Sequence, residues 1–75
     1  MKEIVIHTEF IKLNQLLKLA GCVDQGSEAK FLIEGGKVKV NGITASERGK
    51  KIRDQDKIAV DGMDHFIVKY ENIHA

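Results

Sequence analysis

The sequence predicts an α+β fold, with a two-helix (helix-turn-helix) unit packed on a small, mostly antiparallel sheet of four to five strands. Three observations predict it. Two apolar stripes at helical spacing, within residues 13–20 and 29–33, are each followed by glycine. A Val-Lys-Val run leads straight into Asn41-Gly42. Further short apolar runs follow, separated by Asp-rich and Gly-containing turns. The order strand, two short helices joined by a few residues, then three or four strands puts both helices on one face of the sheet.

Each element has its own signal. Residues 2–7 alternate, with Ile4 and Ile6 on one side, and read as a strand. Thr8 and Glu9 are compatible with the start of a helical segment. Leu13, Leu16, Leu17 and Ala20 stand at i, i+3, i+4 and i+7, and Gly21 supplies the left-handed stop. Residues 22–26 read as a connector, with Asp24, Gln25 and Ser27 all eligible to cap the next helix. Ala29, Leu32 and Ile33 form its stripe, with Phe31 nearby, and Gly35-Gly36 ends it. Val38 and Val40 then face one way, and Lys37, Lys39 and Asn41 the other. Asn41-Gly42 suits a type I′ turn, whose two central residues both need positive φ. Residues 44–51 read as an exposed basic loop or irregular strand, and residues 51–53 as a brief pairing segment. Asp54-Gln55-Asp56 is a turn, residues 57–60 a strand, Asp61-Gly62 a hairpin signal and residues 65–70 the last strand. Phe10, Phe31, Phe66 and Tyr70 read as core. The whole chain, 1–75, reads as one domain with its core motif in residues 12–60.

A 75-residue chain leaves little room for an enclosed substrate pocket. A composition 43% hydrophobic and 31% charged is that of a globular domain, not a disordered one. Its single cysteine, Cys22, excludes an intrachain disulfide and a cysteine metal cluster. With no apolar run of membrane-spanning length, the expectation is a cytoplasmic monomer without a membrane or small-molecule partner.

The net charge of +1 hides an asymmetry: residues 12–53 carry a net +5 and the flanking segments a net −4. A polyanion responds to that local field.

No catalytic constellation emerges. His7 and His65 fall in predicted strands and His74 in the tail, without zinc or nucleophile–base spacing. Cys22 reads as a small apolar filler, and Asp54 and Asp56 as turn formers. Gly35-Gly36 follows a helix and lacks phosphate-loop spacing. The expectation is therefore no enzyme, no cofactor, no catalytic residue and no metal site. What remains is a set of cations on successive elements, each able to add a phosphate contact.

The ordered set Leu13, Leu17, Gly21, Ser27, Glu28, Ala29, Ile33, Gly36, Val38, Val40, Asn41, Gly42, Asp56, Ile58 and Val60 resembles the ribosomal-protein S-four domain, also called the alpha-L RNA-binding motif. The segments TEFIKLNQLLKLAG and ERGKKIR are similar to those of small stand-alone bacterial proteins of this class. Where many relatives open the first helix with Arg-Leu-Asp, this chain has Lys12-Leu13-Asn14, exchanging a planar fork for a point charge. The resemblance implies a non-catalytic protein binding structured RNA, ribosomal RNA above all, in ribosome assembly. It implies an RNA surface made of Lys12, Lys18, Ser27, Lys30, Lys37, Lys39 and Asn41, extended by Arg48, Lys50, Lys51 and Arg53. Duplex RNA is read by shape, phosphates and 2′-hydroxyls, which suits lysines, a serine and an asparagine. With the aromatic rings assigned to the core, no base stacking is expected. The alternative is a protein–protein interaction module without direct RNA contact.

Overall fold

The computed structural model describes residues 1–63 and 65–72. In chain order the elements are β1 (Lys2–Ile6), β2 (Ile11–Lys12), α1 (Leu13–Leu19), α2 (Gly26–Glu34), β3 (Val38–Val40), β4 (Ile43–Thr44), β5 (Lys51–Ile52), β6 (Lys57–Val60) and β7 (Phe66–Tyr70). Five strands form one sheet in the order β1-β7-β6-β3-β4, and β2 pairs with β5 in a separate two-stranded ribbon. The large sheet is antiparallel except where β1 runs parallel to β7. The α+β reading with two helices and a mostly antiparallel sheet therefore holds, and the parallel edge and the ribbon are additions to it.

The helices form where the stripes predicted them. Leu13, Leu16 and Leu17 are fully buried, as are Ala29 and Ile33 on α2. Each buried leucine contributes about 1.5–3 kcal/mol relative to exposure. Both helices end in the same way. The Cys22 N–H donates to the Leu17 carbonyl at 2.9 Å and the Gly21 N–H to that of Lys18 at 3.1 Å; after α2, Lys37 bonds Leu32 at 3.0 Å and Gly36 bonds Ile33 at 3.1 Å. These Schellman closures place the glycine in the left-handed region, at φ +79 for Gly21 and +72 for Gly36. The cap of α2 is Gln25, acting without a side-chain hydrogen bond. Ser27 thus lies inside the first turn.

The inward face of the sheet carries Val38, Val40, Ile58, Val60, Phe66 and Val68, packed in one cluster with the helix leucines, Ala29 and Ile33. Strand alternation then sends Lys39, Lys57 and Ala59 to the face away from the helices. The Asn41-Gly42 turn forms as expected, with φ of 52 and 83.

Three expectations are corrected. Residues 7–9 are a bend, not a helix start, and the Thr8 hydroxyl donates to the Phe10 carbonyl at 2.6 Å. That local bond competes with a helical first turn. His7 lies in this bend and His65 just before β7, so neither is in a strand, and His74 lies outside the described residues. Of the four rings assigned to the core only Phe66 is there; Phe10 is 38% exposed, Phe31 72% and Tyr70 37%. Phe31 falls on the outer side of α2, between the inward positions Ala29 and Ile33.

Candidate nucleic-acid interface

The basic segment after β4 is folded onto the start of α1. The first two backbone N–H groups of a helix have no partner within it. Here the Leu13 N–H donates to the Lys50 carbonyl at 2.9 Å and the Asn14 N–H to the Arg48 carbonyl at 3.0 Å. Ile11 pairs with Ile52 and Lys12 with Lys51 in the β2–β5 ribbon. Ile52, fully buried, anchors the ribbon to the core. Four backbone partners therefore fix a loop that would otherwise be free, and bring Arg48, Lys50 and Lys51 to Lys12.

Lys12 and Lys51 are both exposed and stand directly opposite each other. Like charges in that position are destabilising by up to about 1 kcal/mol. The Lys51 ammonium lies 4.8 Å from the centroid of the Phe10 ring, a cation–π contact that partly offsets the repulsion. Among the described residues the cations of this surface form no ion pair with a carboxylate.

The remaining expected residues are distributed around the rim. Lys30 on α2 and Arg48 line one shallow depression together with Glu34, Ser46 and Glu47. Ser46 and Glu47 also border a second one, which reaches Lys50 and the hairpin residue Asn41. Asn41 in turn borders a third, on the far face of the sheet, with Lys39 and Lys57. The cations are thus strung around the short edge strand β4, with Glu34, Glu47 and Asp61 interleaved among them, and do not form one flat patch. Lys39 sits beyond that edge because β3 turns its valines toward the helices. Lys37 lies at the end of α2, beside Cys22, Phe31 and Met63. Lys18 and Ser27 are exposed on α1 and α2, and Arg53 is exposed after β5.

Asn41 is committed to the fold. Its amide nitrogen donates to Asp56 at 3.0 Å, and its side-chain oxygen accepts from the Lys57 N–H at 2.9 Å. Asp56 also accepts from the Arg53 N–H at 2.8 Å, so one carboxylate ties the hairpin to the end of the basic segment. The pairing of Asn41 with Asp56 spans 15 positions and has no local signal in the sequence.

The other candidate groups behave as ordinary structure. Asp54 accepts from the Tyr70 N–H at 2.7 Å, and this bond, helped by the Gln55 amide, holds its carboxyl below the usual aspartate range. Burial pushes the Cys22 thiol up, and the side chain packs against the core, as a small apolar filler would. No helix among the described residues is long and apolar enough to cross a membrane.

Comparison with known proteins follows the same lines. Residues 4–68 match the S4 domain. The chain belongs to the S4 domain family. It is 37% identical over 65 residues to the "Probable ribosome maturation protein RlbA" of Bacillus subtilis (strain 168), spanning 87% of this chain and 92% of that protein. It is also similar to the crystal structure of the 30S ribosomal protein S4e from Thermoplasma acidophilum, at 27% identity and a TM-score of 0.56. That alignment covers 73% of this chain and only 29% of the S4e chain. As an S4 domain, the chain spends its matched region on both helices, the ribbon and the sheet up to β7.

Proposed function

We propose that this protein is a non-catalytic RNA-binding module of alpha-L type that engages structured ribosomal RNA during ribosome maturation. The observation that carries the reading is the opposition of Lys12 and Lys51 on a ribbon docked to the start of α1. Stability alone does not favour two exposed lysines at directly opposed positions; a phosphate bound by both turns the repulsion into attraction. Membership of the S4 family and the ribosomal character of its named relatives support the ligand class.

In this reading Lys12, Lys30, Arg48, Lys50, Lys51 and Arg53 contact phosphates along the row of cations, with Lys18 and the Ser27 hydroxyl on its helical flank. Lys37 and Lys39 engage strands that pass around the β4 edge. Asn41 contributes by fixing the turn that separates the two faces. The test is ultraviolet crosslinking in cells followed by sequencing of the attached RNA. Enrichment of ribosomal RNA precursors is expected; recovery of no RNA above a mock control contradicts the reading.

A second reading, a protein-contact module, draws on Phe31, which is 72% exposed on α2 beside Leu32 and Met63. Affinity capture with and without ribonuclease separates the two, because protein contacts survive digestion and RNA-bridged ones do not.

A further inference from the structure

Phe10 stands immediately before β2, where alternation puts it on the same side of the ribbon as Lys12. It is 38% exposed, whereas the core ring Phe66 is 1% exposed. Its backbone is held in place: a ring nitrogen of His7 hydrogen-bonds the Glu71 carbonyl at 3.0 Å, the Thr8 hydroxyl bonds the Phe10 carbonyl at 2.6 Å, and Ile11 is paired with buried Ile52. A half-exposed ring with the Lys51 ammonium over its face, set on the same side of the ribbon as a second lysine, is placed unlike a core filler.

We propose that Phe10 is a stacking platform for one unpaired base of the bound RNA, with Lys12 and Lys51 on the phosphates beside it. This rests on the RNA-binding reading above and narrows its ligand from structured RNA in general to a duplex interrupted by a bulged or splayed nucleotide. A cation over an exposed ring is worth less than a base stacked on it. The incoming base therefore displaces the Lys51 ammonium, which moves to a neighbouring phosphate and releases a counterion. Stacking of one base contributes about 5- to 150-fold in affinity and is indifferent to base identity.

The test uses the full chain and two RNA hairpins that share one stem, one unbroken and one with a single bulged 2-aminopurine. The bulged stem binds about tenfold more tightly, at the lower end of that stacking range, and its fluorescence is quenched on binding. Phe10→Leu abolishes the quenching and the preference, and leaves affinity for the unbroken stem and its salt dependence unchanged. Lys51→Gln leaves the ring in place, so it keeps both quenching and preference. Equal binding of the two stems by the wild type, a preference that survives Phe10→Leu, or loss of quenching in Lys51→Gln each overturns the proposal while leaving RNA binding itself intact. Failure of both stems to bind removes the RNA-binding reading, and this inference with it.

Discussion

Lys12 and Lys51 face each other across the two-residue β2–β5 ribbon, and among the described residues neither has a carboxylate partner. The fold tolerates this repulsion because Ile11 and Ile52, on the other side of the same ribbon, are packed against the core. Replacing one cation by an anion converts the opposed pair into an attractive one. Lys12→Glu is expected to raise stability by about 0.2–1 kcal/mol at low ionic strength. The gain shrinks as salt rises, since the pair is exposed. Urea melts at low and high salt measure it, and a destabilised Lys12→Glu protein shows that the two side chains do not interact.

The Asn41 side chain joins the hairpin to β6 through two hydrogen bonds, at 3.0 and 2.9 Å. Asn41→Gly preserves the left-handed backbone and removes both bonds, costing about 1–2 kcal/mol. Asn41→Ala adds the strain of a β-carbon at φ 52, so it is expected to be the less stable of the two by about 1 kcal/mol. Chemical denaturation of both variants checks the order. Equal stabilities indicate that the turn relaxes out of its type I′ shape.

Acid stability carries the mark of Asp54. The Tyr70 N–H stabilises its charged form, so the folded state holds this proton less tightly than the unfolded chain does. The contribution is therefore present above the ordinary aspartate pKa, about 3.9, and is lost as pH falls through the lowered value. Asp54→Asn keeps an oxygen for Tyr70 and no longer titrates. Its denaturation midpoint is expected to fall less steeply than that of the wild type between about pH 5 and pH 2; parallel acid limbs contradict the assignment.

Two glycines respond in opposite directions. A β-carbon on Gly26 meets the Asn14 side chain at 4.0 Å, an ordinary contact, so Gly26→Ala is expected to gain about 0.4–1 kcal/mol. Gly36 is left-handed at φ +72, and Gly36→Ala is expected to lose about 1–2 kcal/mol. Thermal melts resolve both, at about 4–8 °C per kcal/mol for a domain of this size. Stabilisation of the Gly36 variant shows that the Schellman closure of α2 is dispensable.

What was legible in the sequence was local. The leucine stripe of α1, the Gly21 and Gly36 stops, the alternation of β3 and the Asn41-Gly42 turn all depend on neighbours within a few positions. The basic middle was legible as composition, but not its shape. Its shape is set by long-range pairings: Lys12 with Lys51, the Leu13 N–H with the Lys50 carbonyl, and Asn41 with Asp56. A two-residue strand such as β2 carries too few alternations to be read, so Thr8 and Glu9 were open to a helical start and the ribbon was anticipated only as a brief pairing of residues 51–53. The strands β1 and β7 are each legible, but their parallel pairing, Lys2 beside Phe66, joins opposite ends of the chain and leaves no local signal. The hydrophobicity of Phe10 and Phe31 points inward, whereas their exposure follows from which side of the ribbon or helix each position occupies.

The salt dependence of RNA binding tests the electrostatic claim most directly. With about five phosphate contacts, log affinity against log salt has a slope near −3.5 to −4.5, and the Lys12→Gln/Lys51→Gln double variant loses about 1.4–1.8 of it. Anisotropy titrations of a structured RNA stem over a range of salt supply both slopes. A flat wild-type line, or a double variant with the wild-type slope, shows that the opposed lysines do not hold phosphates.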